Sequence, residues 1–404
     1  MTTTDQQRLG QLFDPATRPE PYAVYRSLRE AGPFPVAEGA VTVVGGYADC
    51  ARILRDPAMS SDRRRSLVGG KFRSDVGEGT VPFLSLDPPD HTRLRGLVSK
   101  AFTPRVVAGL QPRIRAIVTE VLGKAAQSTS FDLVRELAYP LPVLVICELL
   151  GVPAQDRYRF EGWSRRLVRG LDPAMAIGSP EEMADIEEAR REFTGYFAEL
   201  ISQRRAVRTE DLLSRLVRIE EAGDRLSEQE LLATCVLLLV AGHETTANLI
   251  SNGVLALLRH PEALAALRAD PSLVGGVVEE VLRYDSPVHL TTRIVRAPTR
   301  IGALEVPTDG VLLLLLAAAN RDPAQYREPD RFDIHRGASH HLAFAAGPHF
   351  CLGAGLARLE ASIALSEFAR RVVTPELAPD SLRYRPHVNL RGPERLVVSY
   401  SQIT

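Results

Sequence analysis

A single cysteine, Cys351, lies in a glycine-punctuated stretch at residues 344–353, directly before an alanine-rich segment that predicts a helix starting near Ala354. A thiolate at a helix N-terminus is stabilised by the helix dipole and by backbone N–H groups without helical partners. No other cysteine is near it in the sequence, so this sulfur suits one bond to one metal, such as the axial position of a haem iron. The alternative is an inert, buried cysteine that acts as a small apolar side chain.

A second group of reactive side chains lies within a long apolar segment, at Ala241–Thr246. Gly242 inside a predicted helix costs about 1 kcal/mol relative to alanine, which indicates a local reason for it. Glu244 and Thr245 place an acid beside an alcohol. The threonine could instead donate back to the carbonyl four residues earlier and bend the helix. The stretch also begins like a zinc-protease motif, but Ala247 stands where that motif requires its second histidine.

Two further pairs of residues have helical spacing. His91 and Arg95 are four residues apart, so both project from one face of a helix for which Asp90 is the expected N-cap. Such a pair facing inward needs an anion, and the alternative is two solvated side chains. Glu280 and Arg283 are three residues apart and could form a bidentate ion pair, although this spacing alone is common on surface helices.

In this order along the chain, the four motifs resemble those of the cytochrome P450 superfamily. Residues 344–353 are similar to its haem-ligand loop, commonly Phe-Gly-x-Gly-x-His-x-Cys-x-Gly, with Ala345 in place of one glycine. Residues 241–245 resemble its oxygen-binding segment, and the two pairs resemble its His-x-x-x-Arg and Glu-x-x-Arg. The resemblance extends from about Asp14 to Tyr400.

The resemblance implies a haem b cofactor and a role for each matching residue. Cys351 would be the axial ligand of the iron, and Glu244 and Thr245 would be the acid–alcohol pair that delivers protons to bound oxygen. The residues that would bind or border the haem are His91, Arg95, Ala241, Gly242, Arg293, Phe344, Gly347, His349, Cys351 and Gly353. Of these, the resemblance assigns the first two and Arg293 to the haem propionates.

Other matching positions concern the scaffold and the substrate. Glu280 and Arg283 would form a structural pair behind the haem, with Arg331 placed to help lock it. The loop at residues 60–82 would cover the substrate pocket, and the break at Leu171–Pro180 would belong to a lid. The positions that would border the substrate are Val240, Val288, His289, Leu290, Val388 and Asn389. A histidine is unusual there, and both a substrate contact and a merely solvated side chain remain open for it.

The expected fold is mainly α-helical with small β-sheets, the cytochrome P450 fold, with the haem between a long central helix and the cysteine loop. A capping-box pattern at Ser227 and Glu230 predicts the start of that central helix, which continues to about Arg259. Other segments with apolar residues at helical spacing are 21–31, 47–55, 113–127, 133–150, 156–170, 181–205, 212–222 and 354–371. We expect one haem domain over 1–404, helix-rich at about 90–285, β-containing at about 33–60 and 286–404, and without a fused reductase.

Composition sets limits on location and partners. The chain has 404 residues, 25% of them charged, and a formal net charge of −1, which argues against bulk nucleic-acid binding. Four dispersed cysteines fit a reducing cytoplasm. The N-terminus lacks a signal-peptide core, and the apolar runs at Leu231–Gly242 and Val311–Ala319 are shorter than the roughly twenty residues of a membrane-spanning helix. We therefore expect a cytoplasmic protein without a membrane partner.

The function that the resemblance implies is a monooxygenase of the soluble bacterial type, which oxidises a small organic molecule, in secondary metabolism. It also implies that electrons come from a ferredoxin and a ferredoxin reductase. Arg93, Lys100 and Arg358 lie near segments that the family places on the proximal face, where they would steer an acidic partner; the alternative is that they are ordinary solvated charges. One alternative keeps the fold but couples or dehydrogenates the substrate without inserting oxygen. Another is a haem-binding sensor without turnover, which would not need the acid–alcohol pair.

Overall fold

The computed structural model describes residues 3–68, 81–100, 102–170, 179–207, 209, 211–221, 226–337 and 339–404. The expected mainly helical architecture with small sheets is confirmed. The helices are α1 (Thr3–Gln11), α2 (Tyr22–Glu30), α3 (Tyr47–Arg55), α4 (Asp90–Ser99), α5 (Pro104–Gly109), α6 (Gln111–Ala125), α7 (Pro140–Leu149), α8 (Arg157–Arg169), α9 (Pro180–Ala206), α10 (Leu212–Glu221), α11 (Glu228–Arg259), α12 (Pro261–Ala269), α13 (Val274–Tyr284), α14 (Leu316–Ala319) and α15 (Ala354–Arg371).

The central helix α11 begins where its sequence predicts. The Ser227 hydroxyl accepts from the Glu230 N–H at 3.2 Å, and the Glu230 carboxylate accepts from the Ser227 N–H at 2.8 Å. This reciprocal pair satisfies two N–H groups that the first turn leaves without helical partners. In its apolarity and length α11 could cross a membrane, but 67% of its most apolar window is buried inside the protein. That burial is typical of a core helix.

Two predicted helix boundaries are wrong. Asp90 is the first residue of α4 rather than its N-cap; the cap position is Pro89, which has no side chain that could cap the helix. The predicted helix at residues 133–150 is interrupted, because a π-helical turn at Val134–Ala138 precedes α7. Pro140 explains the division, since proline lacks an N–H and is best accommodated in the first turn of a helix.

The largest sheet has five strands in the order β1 (Phe34–Val36), β2 (Val41–Val44), β8 (Val311–Leu315), β5 (Leu290–Val295) and β3 (Met59–Ser60). In this sheet β2 and β8 are parallel and the other neighbours are antiparallel. The apolar run at residues 311–319, predicted to be a strand, is a strand that continues into the short helix α14. The strands are β1 (Phe34–Val36), β2 (Val41–Val44), β3 (Met59–Ser60), β4 (Ser130–Asp132), β5 (Leu290–Val295), β6 (Thr299–Ile301), β7 (Leu304–Val306), β8 (Val311–Leu315), β9 (Val372–Val373), β10 (Glu376–Leu377), β11 (Arg383–Tyr384), β12 (Pro393–Arg395), β13 (Val397–Ser399) and β14 (Gln402–Ile403).

The two segments predicted to cover the substrate are only partly described. The loop at residues 60–82 contains a 3-10 turn at Arg63–Arg65, and its residues 69–80 lie outside the described residues. Of the break at Leu171–Pro180, residues 171–178 lie outside them as well. The following helix α9 starts with its own capping box, formed by Ser179 and Glu182.

Candidate active site

The Cys351 sulfur lies half-buried, three residues before the start of α15. Its backbone N–H donates to the Phe344 carbonyl at 2.9 Å, which closes the loop on itself. Burial raises the pKa of the Cys351 thiol, while two backbone N–H groups at the start of α15 and two guanidinium groups, of Arg95 and Arg358, act in the opposite direction. Guanidinium groups and helix N–H groups around a half-buried cysteine are the environment in which a thiolate binds a metal.

Two positions of the cysteine loop have left-handed backbone. Gly347 has φ +69°, and a Cβ there would lie 2.4 Å from the Leu54 carbonyl oxygen at the end of α3. No side chain fits in that space, so the glycine allows the loop to pack directly on α3. Ala345 has φ +57° and occupies the place where the P450 motif has a glycine. The departure from the motif therefore retains the glycine-type conformation, at the cost of local strain.

A cluster of basic side chains faces the cysteine loop. His91, on α4, is 2% exposed, and its Nε2 atom has no hydrogen-bond partner among the described residues. Its ring lies against that of His349, with the ring centres 4.0 Å apart. Arg95 donates from Nη2 to the Phe350 carbonyl at 2.6 Å, so the predicted pair on α4 does meet the loop. The alternative of a solvated His91 is wrong.

The buried cation Arg293 belongs to the same cluster. It lies on β5, donates to the carbonyl of Thr292 at 2.7 Å, and forms no ion pair with a carboxylate in the described part of the chain. Burial, together with the nearby Arg63, lowers the pKa of Arg293 to about 10. Burial and the neighbouring cations also lower the pKa of His349 to about 3.

Burial is the main cause of both pKa shifts, and neighbouring cations add to it; a bound anion would favour the charged form of each group. The two carboxylates of a haem are suited to this cluster, which presents Arg95, Arg293 and the unpartnered Nε2 atom of His91 beside the cysteine loop. The residues present therefore fit the haem-thiolate group that the motifs imply.

The middle of α11 presents Gly242, which is exposed, and a Cβ there would meet no described atom within 4 Å outside the helix's own backbone. The helix continues through this position without interruption. Thr245 donates from its hydroxyl to the Ala241 carbonyl at 2.8 Å, so the back-bonded arrangement is the one present. The oxygen still has lone pairs with which it can accept a hydrogen bond.

Glu244 is 1% exposed and forms an ion pair with Arg385, which follows β11 in the C-terminal part of the chain. Burying a carboxylate without a counter-charge is very unfavourable, so Arg385 is what permits an ionised acid at this position. Arg385 was not predicted from the sequence. It lies on a segment far from Glu244 along the chain, so no local pattern marks it as the partner of that acid.

His243, beside that acid, is completely buried and has a partner at each ring nitrogen. Its Nδ1 lies 2.5 Å from the Ser164 hydroxyl on α8, and its Nε2 lies 3.1 Å from the Tyr139 carbonyl oxygen. Burial lowers its pKa to about 3, with smaller contributions of the same sign from Arg385 and Arg165. The imidazole is therefore neutral at all ordinary pH values.

The predicted pair of Glu280 and Arg283 is present, with bonds of 2.7 and 2.8 Å between the guanidinium and the two carboxylate oxygens. Arg283 also donates to three backbone carbonyls in the segment 320–331. The predicted role of Arg331 is wrong for its side chain, which is exposed and pairs with Glu328. Arg336, missed in the sequence, contacts the Glu280 carboxylate from Nε at 3.2 Å.

The residues predicted to border the substrate divide into two groups. Val288 forms an isolated β-bridge with Leu390, and Val240 packs in the same apolar cluster, so these elements do meet. His289 is 2% exposed, and its Nδ1 atom lies 2.9 Å from the Tyr25 hydroxyl of α2. The solvated alternative for this histidine is therefore wrong. Asn389 accepts two backbone N–H groups, that of Leu290 at its Oδ1 atom at 3.0 Å and that of His289 at its carbonyl oxygen at 2.9 Å.

Two of the three cations predicted to face a redox partner form intramolecular ion pairs. Arg93 pairs with Glu230, and Arg358 donates to both oxygens of Glu279 at 2.6 and 3.0 Å. Lys100 follows α4 and is exposed, with no ion pair among the described residues.

Comparison with known proteins decides the family. The family model described as cytochrome P450 matches residues 34–372. The chain belongs to the cytochrome P450 family.

Individual relatives of this P450 match over almost its whole length. It is 42% identical to the vitamin D(3) 25-hydroxylase of Pseudonocardia autotrophica, over 99% of this chain and 98% of that protein. It is also 42% identical to the cytochrome P450 monooxygenase PikC of Streptomyces venezuelae, over 98% and 94%. The ligand-free crystal structure of Mycobacterium smegmatis CYP164A2 has a TM-score of 0.91 and 46% identity, covering 98% of this chain and 100% of that one.

These matches establish the class of reaction. The chain is a P450 monooxygenase with a haem-thiolate iron cofactor, it acts on a small molecule, and it uses redox partners. A haem-binding sensor without turnover is thereby ruled out as its function.

Proposed function

We propose that this P450 binds haem b through the Cys351 sulfur and inserts one oxygen atom from dioxygen into a small organic molecule of secondary metabolism. Electrons would come from a ferredoxin and its reductase in the cytoplasm, and the whole of 1–404 would form one haem domain. The observation that carries the proposal is the position of the Cys351 sulfur, just before α15 and beside buried basic groups that have no carboxylate partner among the described residues.

Different residues of the chain would bind the haem and leave room beside it. The haem propionates would be bound by His91, Arg95 and Arg293. The two arginines supply positive charge, and Nε2 of the buried His91 has no hydrogen-bond partner among the described residues. Ala241 and Gly242 would leave room beside the haem, and Gly353 would do the same at the start of α15, where an added Cβ meets no described atom. When bound, the haem supplies the oxidation chemistry.

Proton supply would fall to Glu244 and Thr245. The Thr245 hydrogen is committed to the Ala241 carbonyl, which leaves the oxygen to accept a hydrogen bond on the open side of the helix. The Glu244 carboxylate would hold and release the proton beside Arg385. On the substrate side, Val240, Val288, Leu290, Val388 and the neighbouring Asn389 would form the wall, with His289 facing α2 instead.

The first test is the carbon monoxide difference spectrum of the reduced protein. A thiolate-type Soret band that is lost in Cys351→Ala and kept in Cys147→Ala would support the ligand assignment, since Cys147 is a buried free cysteine of α7. A thiolate-type band that persists in Cys351→Ala would contradict it.

Oxygen insertion is tested with isotopically labelled dioxygen. A product heavier by one labelled oxygen atom supports hydroxylation. Loss of hydrogen alone, without label, would show that the enzyme couples or dehydrogenates its substrate.

A further inference from the structure

One hydrogen bond joins α8 directly to the turn of α11 that carries the acid–alcohol pair. The Ser164 hydroxyl of α8 lies 2.5 Å from Nδ1 of His243, and both side chains are 0% exposed. His243 is the residue immediately before Glu244. A shift of α8 would therefore act on α11 at His243, the residue next to the acid Glu244.

The two contacts of His243 define which ring nitrogen carries the hydrogen. Nε2 faces the Tyr139 carbonyl, an acceptor only, so Nε2 must be the donor. A neutral imidazole then has Nδ1 as its acceptor, and the Ser164 hydroxyl must donate to it. Each side chain thus has one specific task, and neither nitrogen is left unsatisfied inside the protein.

Tyr139 extends the contact to the cation that holds the acid. Its ring stands edge-on to that of His243, with ring centres 4.0 Å apart. The Arg385 guanidinium lies 5.5 Å from the centre of the same ring, and Arg385 pairs with Glu244. The guanidinium of Arg165, the residue after Ser164 on α8, lies 5.3 Å from the centre of the Tyr139 ring. His243, the cation Arg385 and Arg165 of α8 therefore all contact one aromatic side chain.

We propose that Ser164 and His243 form a positioning contact through which the placement of α8 sets the geometry of Glu244 and Thr245. This inference rests on the proposed function, because it assigns no new reaction. His243 fixes the face that α11 turns toward α8, and with it the direction of the next two side chains. Neither residue exchanges a proton with the substrate.

The contact is suited to this task because it is buried and specific. Removal of one partner of a buried hydrogen bond is unfavourable, because the other partner is left unsatisfied away from water. Displacement of α8 would break the bond at Nδ1, and α11 would be free to rotate locally. General acid–base catalysis depends on geometry within hydrogen-bond reach, so a small rotation changes proton delivery before it changes the fold.

The test uses the holoenzyme and a compound that the wild-type enzyme oxygenates. We compare Ser164→Ala, His243→Phe, the double variant and His243→Gln, which keeps both a donor and an acceptor. Ser251→Ala is the matched control, since this buried serine of α11 donates only within the helix, to the Ala247 carbonyl at 2.8 Å. The readouts are the peroxide-to-product ratio, its solvent deuterium isotope effect, and the free energy of unfolding.

We expect the peroxide-to-product ratio to rise about tenfold in Ser164→Ala and His243→Phe, a small part of the 10²–10⁴ that general acid–base catalysis contributes. The double variant should rise no further, and His243→Gln should recover part of the loss. The isotope effect should change in the same variants, and Ser251→Ala should match the wild type.

A ratio and isotope effect equal to those of Ser251→Ala would overturn the inference, even if Ser164→Ala lowers the free energy of unfolding. Additive effects in the double variant would overturn it as well. If the wild type only removes hydrogen from its substrate and incorporates no labelled oxygen, the proposed function is refuted instead, and the inference with it.

Discussion

The Cα atom of Gly347 faces the Leu54 carbonyl so closely that a Cβ at position 347 would come within 2.4 Å of that oxygen. The cysteine loop and α3 are thus in backbone contact, with no side chain between them. We expect Gly347→Ala to displace the loop and lower both haem content and the free energy of unfolding.

Gly337→Ala is the matched control for that variant. It also has positive φ, +79°, but an added Cβ meets no described atom within 4 Å. It should cost only the conformational penalty of about 1–2 kcal/mol. If chemical denaturation shows that the two variants lose equal free energies of unfolding, and if their haem contents are equal, the contact of Gly347 with Leu54 is unimportant.

Ala345 offers the opposite change. Its φ of +57° is unfavourable for alanine and acceptable for glycine. After the greater chain entropy of glycine is included, Ala345→Gly should raise the free energy of unfolding by about 0.5 kcal/mol. Ala346→Gly, one residue later with φ −152°, should lower it instead. Denaturant unfolding of both variants checks the contrast, and a loss of stability in the first would contradict it.

Arg336 and Arg331 allow a direct comparison near the buried pair. Arg336→Gln should lower the free energy of unfolding by about 1–3 kcal/mol, since it removes a hydrogen-bond donor from the buried Glu280 carboxylate. Arg331→Gln should change it by no more than about 1 kcal/mol, because its pair with Glu328 is exposed. If thermal or denaturant unfolding shows that the two variants lose similar amounts of stability, the predicted difference between Arg336 and Arg331 is refuted.

His289 should make stability depend on pH. Burial lowers its pKa to about 3, with further lowering by Arg391 and other nearby arginines and an opposing effect of Asp285. In the unfolded chain the pKa is about 6.5, so the unfolded state binds the proton first as the pH falls. The contribution of the neutral His289 to the free energy of unfolding is fully present above pH 6.5. Below that pH it is lost at about 1.4 kcal/mol per pH unit.

Denaturant unfolding between pH 7 and pH 5 checks this expectation. His289→Phe should reduce the slope by about that amount, whereas His335→Asn, at an exposed position, should leave it unchanged. An unaltered slope in His289→Phe would show that this histidine does not remain neutral in the folded protein.

Lys100 is the predicted partner contact that is still available. Reversal of its charge in Lys100→Glu should slow reduction by an acidic ferredoxin, most clearly at low ionic strength, because surface charges steer encounter. Lys124→Glu, on α6 and already paired with Glu120, is the control. Stopped-flow reduction rates that do not vary with salt or with the first substitution would contradict the prediction.

The sequence predicted the parts of the site that short-range patterns encode. The capping box of α11, the Glu280–Arg283 spacing and the cysteine loop all depend on residues within a few positions of each other, and all three are present. The choice between Arg331 and Arg336 depends on how an irregular segment turns, which spacing does not determine. His289 directly precedes β5, and only the placement of α2 shows which neighbour its side chain meets.

Long-range partners were beyond the reach of local patterns. Arg385 comes to Glu244 through the C-terminal segment, and Ser164 comes to His243 through the packing of α8 on α11. Neither residue carries a motif. Tertiary packing determines both contacts.

The Glu244–Arg385 ion pair has a consequence for the order of events during synthesis. The ribosome completes α11 well before it adds Arg385, so a nascent chain holds the acid without its cation. An unpaired carboxylate opposes burial, and domains fold from the N-terminus as they emerge. We therefore expect α11 to acquire its final packing around Glu244 only when the last strands dock, so that the part of the chain made last completes a part of the site made much earlier.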